Sequence, residues 1–289
     1  MASSITTVGF VIDGPLGSLL VTKLPRSAYH IQLCKVNPIN EGDHKVPTIS
    51  LCRSPKEAAE GASIICFAIC DLQQLEEAIV GALTGIADGT VIILNGLISP
   101  SYLVNLEQRI AGSHKDVMLI DIYASINKHS ELKLLASGND KALEKARPIL
   151  SALCNGWVVA DGVLGTASKI QMVDKLLLGI QIAAAAEAMA LGASAGLNTW
   201  DLYEIIINAA GNSYAFETRV PQMLENNDVS EMQMFTIENM IQVMDFILGE
   251  ARKLLFPLPL SAIAHQYFHT GSSCGFSALP DASIAKVFL

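Results

Sequence analysis

The sequence predicts an α/β domain over residues 1–163 followed by an all-α domain over residues 164–289. Short β-rich runs alternate with helical runs as far as residue 160. From Gly165 onward nearly every segment has helical periodicity. At 289 residues, 51% of them hydrophobic, the chain suits two domains with large cores better than one or three.

Taken in order, Val8–Ile12 is the first strand, followed by a turn of Asp13, Gly14 and Pro15 that leads into a helix. Ile31–Cys34 is the second strand. Pro55–Gly61 is a short helix with Ser54 as its N-cap, since a serine oxygen there can accept a first-turn N–H. Ser63–Ile69, Thr90–Leu94, Asp116–Ile120 and Leu132–Ala136 follow as strands, with Trp157–Ala160 weaker. Helices Leu72–Leu83 and Pro100–Ile110 separate them, which implies a parallel sheet wound on both faces. Beyond Gly162–Gly165 the helices are Ser168–Gly196, Thr199–Ala210, Phe216–Leu224, Ile237–Leu255 and Pro259–His269. The run Ala183–Ala186, with Ala188, Ala190, Gly192, Ala193 and Ala195, allows another helix to approach closely, either inside the core or at a subunit interface.

Charge narrows the function classes. Charged residues are only 16%, against ~25% in ordinary soluble domains, which suggests covered surface. Twenty-eight acidic and 19 basic residues give a net charge of −9, and no basic run can neutralise phosphates, so nucleic acid is excluded as a partner. Mean hydropathy is +0.40. The most apolar stretch, Leu176–Leu197, contains Gln181, Glu187 and Ser194 and follows Asp174 and Lys175, so it is expected to be a buried helix rather than a membrane span. The start of the chain lacks a basic region followed by an apolar core, as a secretory signal would have. Cys34, Cys52, Cys66, Cys70, Cys154 and Cys274 form no C-x-x-C pair and are expected as reduced thiols of a cytoplasmic protein.

The strand–turn–helix at Val8–Gly17 sits where a Rossmann dinucleotide turn, G-x-G-x-x-G, would lie. Its second and third glycines are Gly14 and Gly17, while the first is Ile12. Asp13 places a negative charge beside the expected pyrophosphate, which the helix N-terminus must offset. No carboxylate ends the second strand to accept ribose hydroxyls. Lys35 stands there instead, either as a partner for the 2′-phosphate of NADP or as a solvated surface lysine.

With these segments the chain resembles the β-hydroxyacid dehydrogenase family, which includes 3-hydroxyisobutyrate, tartronate semialdehyde and threonate dehydrogenases. Val8–Gly17, Ser54–Ala59, Ile98–Pro100, Leu119–Asp121, Gly162–Gly179 running on to Leu191, Pro257–Leu260 and Asp281–Val287 carry the likeness, most of all to its threonate-dehydrogenase-like branch. It implies an N-terminal Rossmann domain, a C-terminal helical domain of the 6-phosphogluconate dehydrogenase type, and a homodimer built on the long helix, residues 168–196.

The residues that serve the family's chemistry are altered. The catalytic lysine of its K-x-x-x-N pattern is Gln171, and the asparagine position is Lys175. An ammonium is thus displaced by one turn, about 5–6 Å, along one helix face. Glutamine cannot shuttle a proton at neutral pH. Lys175 takes over that role only if burial lowers its pKa, with Asp174 pointing to another face. The family's substrate-carboxylate loop, an S-G-G, reads Ser125-Ile126-Asn127 and is shorter, with Tyr123 before it. The Ser-Thr before Ile98 is Gly96-Leu97. The second lysine, near the nicotinamide, is Gln242, followed by Val243.

Asn212, Ser213, Tyr214 and Phe216 open a helix that lines the substrate pocket in the resembled family. With Tyr123 and Ile126 they imply an apolar pocket poor in cations. His265 and His269 are four apart on one helix, but no third ligand has suitable spacing, so no metal is expected. The sequence therefore points to a diverged enzyme on a small or medium organic molecule, lined by Lys175, Ser125, Tyr123 and Asn212, with NADP weakly held or absent and standard hydride transfer lost. A redox-neutral cyclase, isomerase or dehydratase fits. The alternatives are an NAD(P)H oxidoreductase with Lys175 as relocated acid and a non-catalytic dimerising domain.

Overall fold

The structure, a computed structural model, describes residues 6–36, 49–69, 71–113, 116–126, 131–154, 156–225 and 235–288. Asn37, Cys70 and Asn127 lie outside the described residues. By its contacts the chain divides into two compact units, Met1–Gln171 and Met172–Leu289.

The first unit contains β1 (Thr6–Ile12), α1 (Gly14–Lys23), β2 (Tyr29–Lys35), β3 (Ile49–Leu51), α2 (Pro55–Ala59), β4 (Ile64–Ala68), α3 (Leu72–Leu83), β5 (Val91–Asn95), α4 (Pro100–Ser113), β6 (Met118–Ile126), β7 (Leu132–Gly138), α5 (Asp140–Leu153) and β8 (Val158–Val159). The sheet order is β3-β2-β1-β4-β5-β6-β7-β8. Pairing is parallel, as the sequence predicts, except between β6 and β7, which run antiparallel.

Both faces of the sheet are covered, so its strands are apolar at successive positions rather than at every other one. Val8, Phe10 and Ile12 of β1, with Ile64, Cys66 and Ala68 of β4, join one core with α1 and α5. Val11, Ile65 and Phe67 join the opposite core with α2, α3 and α4. Side chains capture orphan first-turn amides: Ser54 Oγ accepts from Glu57 N, as the sequence predicts, and Asp71 and Asn139 do the same for α3 and α5.

α6 (Thr166–Ser194) starts in the first unit and continues into the second. The second unit adds α7 (Thr199–Ile206), α8 (Tyr214–Glu225), α9 (Ile237–Lys253), α10 (Pro259–Gly271) and a closing helical turn, Asp281–Phe288. Its core joins Ile182 and Ala186 of α6 with Met240, Ile241 and Met244 of α9 and Ala264 and Phe268 of α10. Only 39% of the most apolar window of α6 is buried, which corrects the reading of a buried helix. By length and composition alone α6 could cross a membrane. Its small residues divide between two surroundings: Ala183, Ala185 and Ala186 are buried, while Ala184, Ala188 and Ala193 face outward.

Candidate active site

The β1–α1 turn lies where the strand order reverses, with β1 between β2 and β4. Crevices at such switch points are the ligand sites of open α/β sheets. Asp13 N donates to Ala68 O at 2.8 Å, fixing the turn against β4. Gly14 has φ +68°, and a Cβ built on it would meet no atom within 4 Å. The backbone is therefore open on that side. Asp13 makes no side-chain cap to α1, so no side chain of the turn occupies the first-turn amides. A Cβ on Gly17 would lie 2.7 Å from Ile12 Cβ, so this glycine serves helix–strand packing. Lys35, at the end of β2, pairs in register with Ile12 and so lies beside the same turn. These residues fit the pyrophosphate of a dinucleotide at the α1 N-terminus, with Asp13 as the one opposing charge.

Tyr123 and Ser125 are not in a loop. β6 runs on to Ile126 and pairs antiparallel with β7, setting Tyr123 opposite Leu135 and Ser125 opposite Lys133. The ladder orders backbone groups that a loop would leave free. Residues 121, 123 and 125 share one face of the strand. The first of them, Asp121, is fully buried. It accepts from Ser168 N at 2.8 Å, Ser168 Oγ at 2.8 Å and Ser137 Oγ at 3.2 Å, while Ser137 Oγ accepts from Ala167 N. Burial pushes the Asp121 carboxyl above its ordinary range, and the donors from Ser168 and Ser137 oppose that. This carboxylate clamps the first turn of α6 to the sheet.

Gln171 follows one turn later. Its Oε1 is buried and has no hydrogen-bond partner among the described residues. Four residues on, the Lys175 side chain is 14% exposed, donates to Asp174 Oδ2 at 3.2 Å and lies 5.2 Å from the Phe235 ring centroid. The expected separation of Asp174 from Lys175 is thus corrected. Neighbouring helix positions diverge at Cβ, but a four-carbon stem can bring its ammonium back.

Asn212 works locally. Its Nδ2 donates to Ile207 O at 2.8 Å and Glu217 Oε1 at 2.7 Å, and its Oδ1 is buried without a partner among the described residues. Ser213 caps α8 through Phe216 N. Gln242 is exposed on α9. A cavity of about 340 Å³ in the second unit is lined by Ala186, Met189, Ala190, Met223 and Leu224 among others, and by none of the sequence-predicted site residues.

Sequence reasoning missed three features. Asp121 is the clamp of α6, and a lone acid at the end of an apolar run was its signal. Arg219 makes a bidentate pair with buried Asp281, through Nε at 2.8 Å and Nη2 at 3.2 Å. Asp245 lies beside His265 and His269, correcting the expectation that they lack a third neighbour. It comes from a different helix, so spacing along one helix could not reveal it.

A parallel sheet that turns on a glycine-bearing β1–α1 junction, followed by a helical unit, defines the class of two-part NAD(P)-binding dehydrogenase folds. Residues 7–165 match the family model described as the NAD binding domain of 6-phosphogluconate dehydrogenase. Residues 165–288 match that described as NAD-binding of NADP-dependent 3-hydroxyisobutyrate dehydrogenase. The chain belongs to the β-hydroxyacid dehydrogenase family. L-threonate dehydrogenase of Cupriavidus necator is 29% identical over 294 residues, covering 97% of this chain and 95% of that protein. The crystal structure of 3-hydroxyisobutyrate dehydrogenase from Salmonella typhimurium has a TM-score of 0.83 at 22% identity, over 98% of this chain and 99% of that one. Psf3 in complex with NADP+ and 2-OPP has a TM-score of 0.78 at 17% identity, over 98% of this chain and 100% of that one.

Proposed function

We propose that this β-hydroxyacid dehydrogenase-like protein is a diverged enzyme that binds and orients a small or medium organic molecule without the family's lysine-assisted hydride transfer. Gln171 carries this reading. Its buried Oε1 is an acceptor with no donor among the described residues, suited to a substrate O–H or N–H. A primary amide neither gives nor takes a proton at neutral pH, so the step that interconverts hydroxyl and carbonyl lacks its acid–base group. Orientation alone can serve a redox-neutral cyclisation, isomerisation or dehydration. Tyr123 and Ser125 are the further polar groups that the first unit offers, and Lys175 and Asn212 are those that the sequence assigns in the second.

A bound NAD(P) would supply or accept hydride. Leu16 N and Gly17 N at the start of α1 would face its pyrophosphate, and Lys35 a 2′-phosphate. The open backbone at Gly14 favours a second reading, an NAD(P)H oxidoreductase of a hydroxyacid or carbonyl compound with Lys175 as relocated acid. In either case the protein is a cytoplasmic homodimer through α6, supported by exposed Val173, Leu177 and Leu191 and by five free cysteines among the described residues.

Titration with NADPH and NADH, followed by assay of hydroxyacids with NAD+ and NADP+, tests the reading. The expected result is weak NADPH binding and no reduced cofactor formed. The double change Gln171→Lys with Lys175→Asn is expected to introduce measurable oxidation. Wild-type turnover that falls sharply in Lys175→Ala overturns the proposal in favour of the oxidoreductase. Absence of any ligand binding or turnover in a broad substrate screen overturns both in favour of a non-catalytic dimerising domain.

A further inference from the structure

α9 and α10 pack by setting Met244 against Ala264 and Phe268 in the core of the helical unit. Each of these residues is followed by one that can bind a metal: Asp245, His265 and His269. One residue further around a helix is a rotation of about 100°. The packing that buries the three apolar residues therefore brings the three polar ones to the rim of the same seam. Their ligand atoms all lie within 4.8 Å of one another. His265 and His269, one turn apart, have ring centroids separated by 4.4 Å at an interplanar angle of 73°. His265 Nε2 is buried and lies 3.2 Å from Asp245 Oδ1. A buried ring nitrogen is thus set beside a carboxylate oxygen and a second imidazole. It is the arrangement expected where both atoms address a third.

We propose that Asp245, His265 and His269 form a binding site for a borderline divalent cation, Zn²⁺, which ties α9 to α10. Two imidazoles and a carboxylate are a donor set suited to Zn²⁺ rather than to Mg²⁺ or Ca²⁺, which prefer oxygen. Tetrahedral zinc with bonds of about 2.0–2.1 Å sets its ligands about 3.3 Å apart, a small contraction of the present cluster. Two of the three residues are exposed, so their side chains are free to make it. The Arg252 guanidinium acts on the same ring and limits affinity. The fourth position is left to water.

Calorimetric titration of the full chain with Zn²⁺, using protein prepared without a histidine tag, tests the site alongside thermal melts. One Zn²⁺ per chain with a micromolar Kd and a raised Tm is expected, and Co²⁺ should give the visible spectrum of a tetrahedral ion. Asp245→Asn and His269→Gln, both conservative changes at exposed positions, should each weaken Zn²⁺ binding about tenfold or more. Binding no tighter than millimolar overturns the proposal. So does binding unchanged in His269→Gln and lost in Cys274→Ser, which would place the ion on the exposed thiol.

Discussion

Asp121 and Ser168 are joined twice, one carboxylate oxygen taking the serine amide and the other its hydroxyl, both at 2.8 Å. The strand residue and the helix residue are 47 positions apart in sequence. Their pairing sets where α6 leaves the sheet, and so where Gln171 stands. Asp121→Ala leaves the amide of Ser168 and the hydroxyls of Ser168 and Ser137 without their buried acceptor. The expected loss is about 3 kcal/mol or more, read as a lower urea midpoint, against about 1 kcal/mol for Ser168→Ala. An equal loss in the two variants would show that the carboxylate is not the organising group.

Gly14 and Gly17 should respond differently to the same change. Gly14→Ala puts a side chain at φ +68° but meets no neighbour, so stability should fall by only about 1 kcal/mol while NADPH binding weakens severalfold. In Gly17→Ala the new carbon lies 2.7 Å from Ile12 Cβ, an overpacking expected to cost about 1–3 kcal/mol. Thermal melts and NADPH titration of both variants separate a ligand-facing glycine from a packing glycine.

The strands flanking these glycines were legible because each is apolar at successive positions, which only a sheet covered on both faces requires. β6 was read short. Tyr123 and Ser125 look like loop residues, and their place in a ladder depends on Leu132–Gly138 folding back against them. The glutamine at the lysine position was evident from sequence, but its unpartnered amide oxygen was not, since that is a property of its surroundings. The Asp174–Lys175 pair is not legible in the sequence, because helix geometry fixes Cβ directions and not the reach of the ammonium. Asp245 was invisible beside His265 because α9 and α10 contribute one side of the cluster each.

Arg219 holds Asp281 in a two-pronged pair that joins α8 to the closing turn. The carboxyl is almost fully buried, and burial raises its pKa while the guanidinium opposes the rise. Arg219→Ala leaves that carboxyl uncompensated, at an expected cost of about 3–5 kcal/mol near neutral pH. The cost should shrink in acid, where Asp281 takes up a proton and no longer needs a cation. Arg219→Lys should fall between, since an ammonium cannot span both oxygens. Replacing both members with leucine should recover most of the loss. Equal destabilisation by Arg219→Ala at neutral and acid pH would count against this account.

His265 links the helical unit to pH with a definite sign. Its burial lowers the pKa from the ordinary 6.5. His269 and Arg252 add to the lowering, and Asp245 opposes it. In the window between the folded value and about 6.5, the unfolded chain binds the proton more readily than the folded one. The stabilisation due to neutral His265 is therefore complete above that window and is lost as pH falls through it. In metal-free protein, melts from about pH 7.5 down to about pH 5 should show a decline in Tm that His265→Gln makes shallower, since glutamine keeps a polar group there without the titration. Asp245→Asn should steepen the same decline, because it removes the one charge that favours the protonated ring. A Tm profile with the same slope in the wild type and in His265→Gln would assign the acid sensitivity to other groups.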